Sequence, residues 1–186
     1  MNFLETIPVV LVLVSALSIV WFTLKTGISP MPSSNQVIGE VCSLAQANPV
    51  ASVYELGSGW GGLAIAIAKA NPKSAVVGYE MSTLPWLFSS LRNHLSGAKN
   101  LTLIRRDFMQ TNLTDADLIV CYLYPEAMKR LADHLRTQLK GDITVISNTF
   151  RLPGFQPKMT VFMTDMYRTP LYLYELRASE IGPLTG

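Results

Sequence analysis

This sequence has little charge, almost no cysteine and almost no histidine. Asp, Glu, Lys and Arg make up only 15% of the 186 residues, and the formal net charge is +2. So small an excess, with no run of basic side chains, argues against a nucleic-acid-binding protein. The two cysteines, Cys42 and Cys121, stand among apolar residues and are interpreted as core residues. His94 and His134 have no acid or cysteine at metal-ligand spacing, so we expect no metal site.

An apolar run lies near the start of the chain. From Ile7 to Leu24 it contains no charge, and it has the length of a short transmembrane helix, roughly 17 to 25 residues. A cleaved signal peptide is the alternative, but it requires a basic start and a small-residue exit, whereas Glu5 precedes this run. We therefore expect an uncleaved, single-pass membrane anchor over residues 1–28. Lys25 follows the run and no basic residue precedes it, which places the rest of the chain on the cytoplasmic side.

The rest of the chain has the length of one domain. Residues 29–34, which include Pro30 and Pro32, are predicted to be a linker. A single core is comfortable at roughly 150 residues, so one domain is expected over residues 35–178, with a tail over 179–186. Its first helix should end at Asn48-Pro49.

The most informative stretch runs from Val53 to Ala70 and is typical of a strand, a tight loop and a helix. Gly57, Gly59 and Gly61 allow the backbone to turn and a ligand to approach the main chain. Gly57, Gly59 and Gly62 also fit the dinucleotide pattern G-x-G-x-x-G, which alone is a weak signal. Glu55 would repel a pyrophosphate but suits a cationic cofactor, which favours S-adenosyl-L-methionine (SAM). A nicotinamide or flavin site, or a glycine-rich turn with no ligand, are the alternatives.

Strands and helices are predicted to alternate after this loop. The second strand, Ala75 to Glu80, ends in an acid about twenty residues beyond the loop, where a carboxylate can accept from both ribose hydroxyls. A solvated acid is the other interpretation of Glu80. The remaining predicted elements are a helix at Thr83–Leu95, strands at Leu101–Phe108, Ala116–Pro125 and Ile143–Phe150, a helix at Glu126–Leu139, and strands at Thr160–Tyr167 and Pro170–Arg177 joined as a hairpin by Arg168-Thr169.

An open parallel sheet binds its ligand where the strand order reverses, here between the first and fourth strands. Tyr124 and Pro125 end the fourth strand and are therefore expected beside the reactive methyl group, as the catalytic residues. The loop Arg151–Lys158, rich in proline and glycine, is expected to lie over the active-site side.

The stretch Glu55-Leu-Gly57-Ser-Gly59-Trp-Gly61 resembles motif I of the class I SAM-dependent methyltransferases. That resemblance implies an α/β, Rossmann-like sheet of seven strands with a C-terminal antiparallel hairpin. It also implies that Asp107 accepts from the adenine amino group and that Phe108 covers the adenine face. Ser58 and Met81 stand in the loops after the first two strands and complete the expected cofactor contacts. The segment Tyr122–Pro125 departs from the Asn/Asp-Pro-Pro-Tyr pattern of many amino methyltransferases.

The chain as a whole resembles the membrane-anchored protein-lysine methyltransferases, a family that includes enzymes acting on ATP synthase subunit c and on the adenine nucleotide translocase. The points of resemblance are the apolar N-terminus, the segment from Pro30 to Val37, motif I, Val77–Glu80 and Arg106-Asp107. It implies methylation of a lysine in a membrane or membrane-associated protein. A lipid or small-molecule N-methyltransferase and a non-catalytic, membrane-tethered nucleotide-binding module remain the alternatives.

Overall fold

The computed structural model describes residues 6–7, 33–47 and 49–178. The predicted anchor lies outside these ranges apart from residues 6 and 7, and so do the predicted tail and most of the linker. Within the described ranges, no helix is both long enough and apolar enough to cross a bilayer. The membrane anchor accordingly stays a prediction.

The described chain alternates strands with helices, as its apolar runs predict. The helices are α1 (Asn35–Ala47), α2 (Gly62–Ala70), α3 (Thr83–Ser96) and α4 (Pro125–Gln138), with a 3-10 turn at Phe108–Gln110. The strands are β1 (Ser52–Leu56), β2 (Ala75–Glu80), β3 (Leu101–Arg105), β4 (Leu118–Cys121), β5 (Ile143–Asn148), β6 (Met159–Phe162) and β7 (Pro170–Leu176).

All of these strands form one seven-stranded sheet in the order β3-β2-β1-β4-β5-β7-β6. β1 pairs in parallel with both β2 and β4, so the strand order reverses between β1 and β4, at the predicted switch point. β7 runs antiparallel to its neighbours β5 and β6. The Rossmann-like sheet with a C-terminal antiparallel hairpin is therefore confirmed.

Helices cover the two faces of this sheet unequally. Three helices lie on one face, where α1 packs on α2 and a core cluster joins Val41, Ile67 and Leu118. α4 lies on the other face, where Ile119 and Met128 belong to a second cluster. Neighbouring residues of β4 thus alternate between the two clusters, as side chains of a strand must. Burial on both faces explains why the parallel strands are almost continuously apolar.

Two predicted strands end earlier than their apolar runs. The third strand was expected to reach Phe108 but stops at Arg105, because the Asp107 side chain accepts from the Met109 N–H and caps a 3-10 turn. The fourth was expected to reach Pro125, which instead begins α4. Proline suits the first turn of a helix because its missing N–H would have no partner there.

The segment Arg151–Lys158 packs along the α4 face rather than over the strand ends, so its predicted position is wrong. The Leu152 N–H donates to the Tyr174 hydroxyl at 2.9 Å. Arg136 of α4 donates to the Pro153 carbonyl at 2.9 Å, and its guanidinium lies over the Phe155 ring. These contacts hold the segment against the middle of the sheet.

The final hairpin has a longer connection than predicted. β6 ends at Phe162, and the Asp165 carboxylate accepts from the Thr169 N–H at 2.8 Å, so residues 163–169 form a folded loop instead of a two-residue turn. Phe162 lies opposite Pro170, the first residue of β7. Asn148, the last residue of β5, lies opposite Leu171, so this loop is at the same sheet edge as the carboxyl ends of the parallel strands.

Candidate functional site

The carboxyl edge of the sheet divides into two halves of different composition. The glycine half comprises the ends of β1, β2 and β3, with Glu55, the loop from Gly57 to Gly61, Glu80 and Asp107. The aromatic half comprises the ends of β4 and β5 and the β6–β7 loop, with aromatic side chains at Tyr122, Tyr124, Phe150, Phe162 and Tyr167. β1 and β4 are neighbours, so the halves meet at the switch point.

The three glycines of the β1–α2 loop have left-handed backbones, with φ of 79° at Gly57, 52° at Gly59 and 75° at Gly61. Their surroundings differ. A Cβ at Gly61 would lie 2.7 Å from the Ser89 Cβ, so this glycine allows the loop to pack against α3. A Cβ at Gly59 would meet nothing within 4 Å among the described atoms, so this glycine borders open space. The loop therefore has one side fixed to the protein and one side accessible to a ligand.

Glu80 ties this loop to the next one. One carboxylate oxygen accepts from the Gly59 N–H at 2.9 Å, and the other accepts from the Ser82 N–H at 2.7 Å. The side chain is buried. Carboxylate oxygens can each accept more than one hydrogen bond, so these contacts leave acceptor capacity for ribose hydroxyls. The sequence predicted Glu80 as a ligand. It did not indicate that the same carboxylate also connects the glycine-rich loop at Gly59 to the next loop at Ser82.

Glu55 lies beneath the same loop, fully enclosed by protein. Burial raises the pKa of its carboxyl well above the usual range, the Glu80 carboxylate raises this pKa further, and a hydrogen bond from the Ala64 N–H partly opposes the shift. Its Oε2 atom has no hydrogen-bond partner among the described residues. A buried carboxyl oxygen without a donor is costly, and a cationic or hydrogen-bond-donating ligand would satisfy it.

Ser58 and Met81, the other predicted contacts in this half, face different surroundings. The Ser58 side chain is buried against Gly78 of β2, and its hydroxyl has no partner among the described residues. Its N–H, like that of Gly57, donates to the Tyr79 carbonyl at 2.9 Å. Met81 is exposed on the loop between β2 and α3.

Asp107 and Phe108 follow β3 at the outer end of the glycine half. The Asp107 carboxylate accepts from the Met109 N–H at 3.0 Å and lies 3.9 Å from Arg130 of α4. Phe108 is half-buried against the α4-side core. Asp107 therefore stands at the expected edge position, with its carboxylate partly open to solvent.

Tyr124 and Pro125 stand at the start of the aromatic half. Tyr124 is the residue that precedes α4, and its carbonyl accepts from the Met128 N–H at 2.9 Å. Its side chain is half-buried. The nearby Tyr122 ring stacks on Phe150, with centroids 6.5 Å apart and an interplanar angle of 17°. Both predicted residues thus lie at the edge beside the glycine loop, because β4 is the neighbour of β1.

Asn148 and Thr149 are residues of this edge that the sequence analysis missed. Asn148 is buried at the end of β5, and its Oδ1 accepts from the Thr149 hydroxyl at 3.1 Å. Its amide nitrogen has no partner in the part of the chain that the structure describes. Thr149 adopts φ of 69°, a left-handed backbone that is rare outside glycine and concentrates at functional sites. The signal was available, since polar residues after an apolar strand had already identified Glu55 and Glu80.

Comparisons with known proteins agree with this geometry. The family model described as the ANTKMT methyltransferase domain matches residues 55–159, from Glu55 at the end of β1 to the start of β6. The mouse adenine nucleotide translocase lysine N-methyltransferase is 30% identical over 132 residues, 69% of this chain. The chain covers 56% of that relative's length.

Two further relatives extend the comparison. A protein-lysine N-methyltransferase of Saccharolobus islandicus (strain REY15A) is 25% identical over 149 residues, which cover 77% of this chain and 91% of the relative. Among solved structures, an RNA methyltransferase from Salinibacter ruber in complex with S-adenosyl-L-homocysteine superposes with a TM-score of 0.71. Its sequence identity is 23%, and the match covers 80% of this chain and 95% of that one. At that identity, the likeness indicates the fold alone.

Proposed function

This chain belongs to the ANTKMT methyltransferase domain family, and on that premise we propose that it transfers the methyl group of SAM to a lysine side chain of a membrane or membrane-associated protein. The cofactor of the domain is SAM. The observation that carries the proposal is the buried Glu55 carboxyl, whose Oε2 atom has no partner among the described residues, beneath three left-handed glycines. It is a site for a cationic ligand that lies close to the main chain.

The glycine half fits this cofactor. The open side of Gly59 leaves room for close approach, and Glu55 offers an acceptor to a cationic amino group. Glu80 has remaining acceptor capacity for ribose hydroxyls, and Asp107 offers a carboxylate at the outer end. Glu55 and Glu80 together would also disfavour the pyrophosphate of a dinucleotide.

When bound, the sulfonium cofactor supplies an electrophilic methyl carbon, and the protein's task is to present a neutral amine to it. A lysine with a reference pKa of about 10.4 carries a proton at neutral pH. An aromatic environment disfavours the ammonium form and so promotes loss of this proton; here it is formed by Tyr122, Tyr124 and Phe150. The Asn148 side chain can hydrogen-bond to the neutral amine or to the neighbouring acceptor backbone. Such catalysis depends mostly on positioning and needs no strong base.

Two observations support a protein lysine as the acceptor. Two of the three similar proteins named above, one from mouse and one from Saccharolobus islandicus, are protein-lysine N-methyltransferases. The aromatic half is open, with Met166 and Tyr167 of the β6–β7 loop 89% and 84% exposed, as suits a macromolecular acceptor. The apolar run from Ile7 to Leu24 supports a membrane location, with the domain on the cytoplasmic side.

The proposal is tested by incubating the full chain with native membranes and SAM labelled on its methyl group. We expect label in protein that is recovered as methyllysine after hydrolysis. A variant without residues 1–28 should keep its SAM affinity but label the membrane acceptor much more slowly, because tethering raises the effective concentration of a membrane-resident acceptor. Label in lipid alone would contradict the lysine assignment. Unchanged membrane labelling after truncation would contradict the role of the anchor.

A further inference from the structure

Helix α3 exposes a row of large apolar side chains to solvent. Leu87, Phe88, Leu91 and Leu95, here called the α3 apolar face, are 56%, 51%, 59% and 78% exposed. Their spacing of three and four residues places them along one side of the helix. Single exposed apolar residues are ordinary, but a contiguous row of this kind marks a surface for interaction.

The row is a consequence of how α3 packs. Its inner side buries Pro85 and Ser89, and Ser89 lies against Gly61 of the glycine-rich loop. The opposite side therefore faces away from the sheet. Phe88 contacts Trp60 edge to face, with ring centroids 5.4 Å apart, so the α3 apolar face is continuous with the glycine-rich loop.

The charged residues in the sequence interval that contains this helix have one sign. No Asp or Glu occurs between Glu80 and Asp107, although the whole chain has 13 acidic residues against 15 basic ones. The charged residues of the interval are Arg92, Lys99, Arg105 and Arg106, all exposed. Within the described residues, none of them forms an ion pair. A nearly neutral protein thus has only basic charges in the sequence interval that contains its exposed apolar row.

We propose that the α3 apolar face lies on the surface of an anionic lipid bilayer, with α3 parallel to the membrane plane. Apolar side chains that enter the headgroup region next to unpaired basic side chains are the pattern of an interfacial helix. A second copy of the chain would place two basic surfaces against each other. An apolar segment of the same chain would leave the basic side chains without counter-charges. An anionic bilayer would accommodate the exposed apolar side chains and supply counter-charges to the basic ones.

This contact goes beyond the proposed function because it does not depend on the predicted anchor or on the identity of the acceptor. α3 begins immediately after the β2–α3 loop, at the carboxyl edge, and Trp60 joins it to the glycine-rich loop. Docking through α3 would therefore hold the candidate site next to the bilayer in a fixed orientation. The predicted anchor, joined to the domain by a linker, would keep the candidate site close to the membrane. It would not fix which surface of the domain faces the bilayer.

The test measures which surface of the full chain meets lipid. A single cysteine carrying a fluorophore is placed at Leu95→Cys, or at the control position Thr137→Cys, in a background with Cys42→Ala; Cys121 is buried and can remain. Thr137 is an exposed residue near the end of α4, on the opposite face of the sheet. Each protein is reconstituted in phosphatidylcholine vesicles with or without phosphatidylserine, and quenching by lipids with a spin label near the headgroup is recorded.

We expect strong quenching at position 95 in vesicles that contain phosphatidylserine, and little quenching at position 137. Replacing both Arg92 and Lys99 by Gln should weaken the lipid contact, by roughly fivefold for each charge removed, because each basic side chain near an anionic surface contributes about 1 kcal/mol. The control pair Lys129→Gln and Lys140→Gln, on and just after α4, should have no effect.

Three results would overturn the proposal. Equal quenching at both positions would show that the domain has no preferred orientation. Quenching at position 95 that ignores phosphatidylserine would remove the anionic surface as the occupant. The fluorophore at position 95 could instead become shielded in detergent without lipid, to an extent that increases with protein concentration. That result would identify a second copy of the chain as the occupant. None of these measurements involves methyl transfer, so failure of the proposed catalytic function would leave the test intact.

Discussion

The two halves of the carboxyl edge are built in different ways. In the glycine half, backbone N–H groups and buried carboxylates fix one another, as when Glu80 holds the loops at Gly59 and Ser82. In the aromatic half, side chains dominate, and the β6–β7 loop exposes Met166 and Tyr167 almost completely. We propose that the difference reflects the ligand that each half binds, the cofactor in the glycine half and the acceptor in the aromatic half. A cofactor of constant shape suits a rigid main-chain cradle, whereas a variable acceptor suits adaptable side chains.

The comparison also separates the sheet, which methyltransferases of different acceptors share, from the acceptor side, where this chain differs. Methyltransferases of unlike acceptors, including the Salinibacter RNA methyltransferase, superpose on this sheet. The segment Tyr122–Pro125 nevertheless departs from the pattern common in amino methyltransferases. We therefore expect substitutions in the glycine half to change SAM binding, and substitutions in the aromatic half to change turnover with little effect on SAM binding.

The largest effect should come from Gly59→Val. Its side chain would enter the open space beside the loop, so SAM affinity measured by calorimetry should fall at least about a hundredfold, or ~2.7 kcal/mol. Gly97→Val is the matched control, because Gly97 also has a left-handed backbone, with φ of 72°, and open surroundings, but lies at the far end of α3. Similar losses in both variants would attribute the effect to backbone strain.

Gly57→Val should also abolish binding, since its φ is 79° and Leu123 lies close by.

Glu80→Ala should weaken SAM binding less, by roughly tenfold to a hundredfold. It removes a charged hydrogen-bond acceptor for the ribose, worth about 1.5 to 3 kcal/mol, and leaves the Gly59 and Ser82 N–H groups without their partner. Glu80→Gln keeps one acceptor oxygen and should lie between Ala and wild type. Calorimetry gives the order of the three affinities. Unimpaired binding in the Ala variant would contradict both roles of this side chain.

A smaller effect, on turnover alone, is expected for Asn148→Ala. If the Asn148 amide positions the acceptor amine, kcat should fall about tenfold while the Kd for SAM stays at its wild-type value. Single-turnover transfer to an acceptor peptide, with SAM binding measured in parallel, separates these quantities. A parallel loss of SAM affinity would mean that the two halves are coupled, and the comparison drawn above would be wrong.

The smallest effect at neutral pH is expected for Glu55→Gln, because the carboxyl must lose its proton before it can favour a cation. The pKa of Glu55 is raised in the free protein, and a cationic ligand favours the ionised form. Wild-type SAM affinity should therefore rise as pH increases toward this raised pKa, while the Gln variant shows a flatter profile. Calorimetry at several pH values in buffers of different ionisation enthalpy also measures the proton released on binding.

The same group makes an opposite prediction for stability. The folded protein binds this proton more tightly than the unfolded chain, so wild-type stability should decrease as pH rises from the ordinary carboxyl pKa through the raised one. Glu55→Gln should remove this part of the pH dependence and raise the free energy of unfolding on the alkaline side of the profile. Denaturant unfolding without cofactor tests it. An unchanged pH profile would mean that Glu55 is not the titrating group.

Most of the fold could be predicted because its signals are local. Each apolar run that was predicted as a strand contains one, and the left-handed glycines after β1 stand where their spacing placed them. Strand ends were less accurate. Arg106-Asp107 and Leu123-Tyr124 closely follow β3 and β4 and were predicted to belong to them, but the 3-10 turn and the start of α4 use backbone groups that a strand would have needed.

The sequence did not reveal the contacts between residues that are far apart in the chain. The second role of Glu80 depends on N–H groups from two different loops. The position of the Arg151–Lys158 segment depends on Arg136 and Tyr174, which belong to different elements. The exposure of the α3 apolar face was not evident either, since a sequence does not show which side of a helix the sheet covers.

The sequence by itself determined the order of strands and helices, the glycine-rich turn and the acids that follow β1, β2 and β3. These features depend on backbone freedom and on the alternation of apolar and polar residues within a few positions. Only the tertiary structure decided that Glu55 is buried with one carboxyl oxygen unpaired, that Glu80 joins two loops, and that Tyr122 stacks on Phe150. Burial and hydrogen bonding between elements depend on which surfaces the folded sheet brings together, and no short stretch of sequence contains that information.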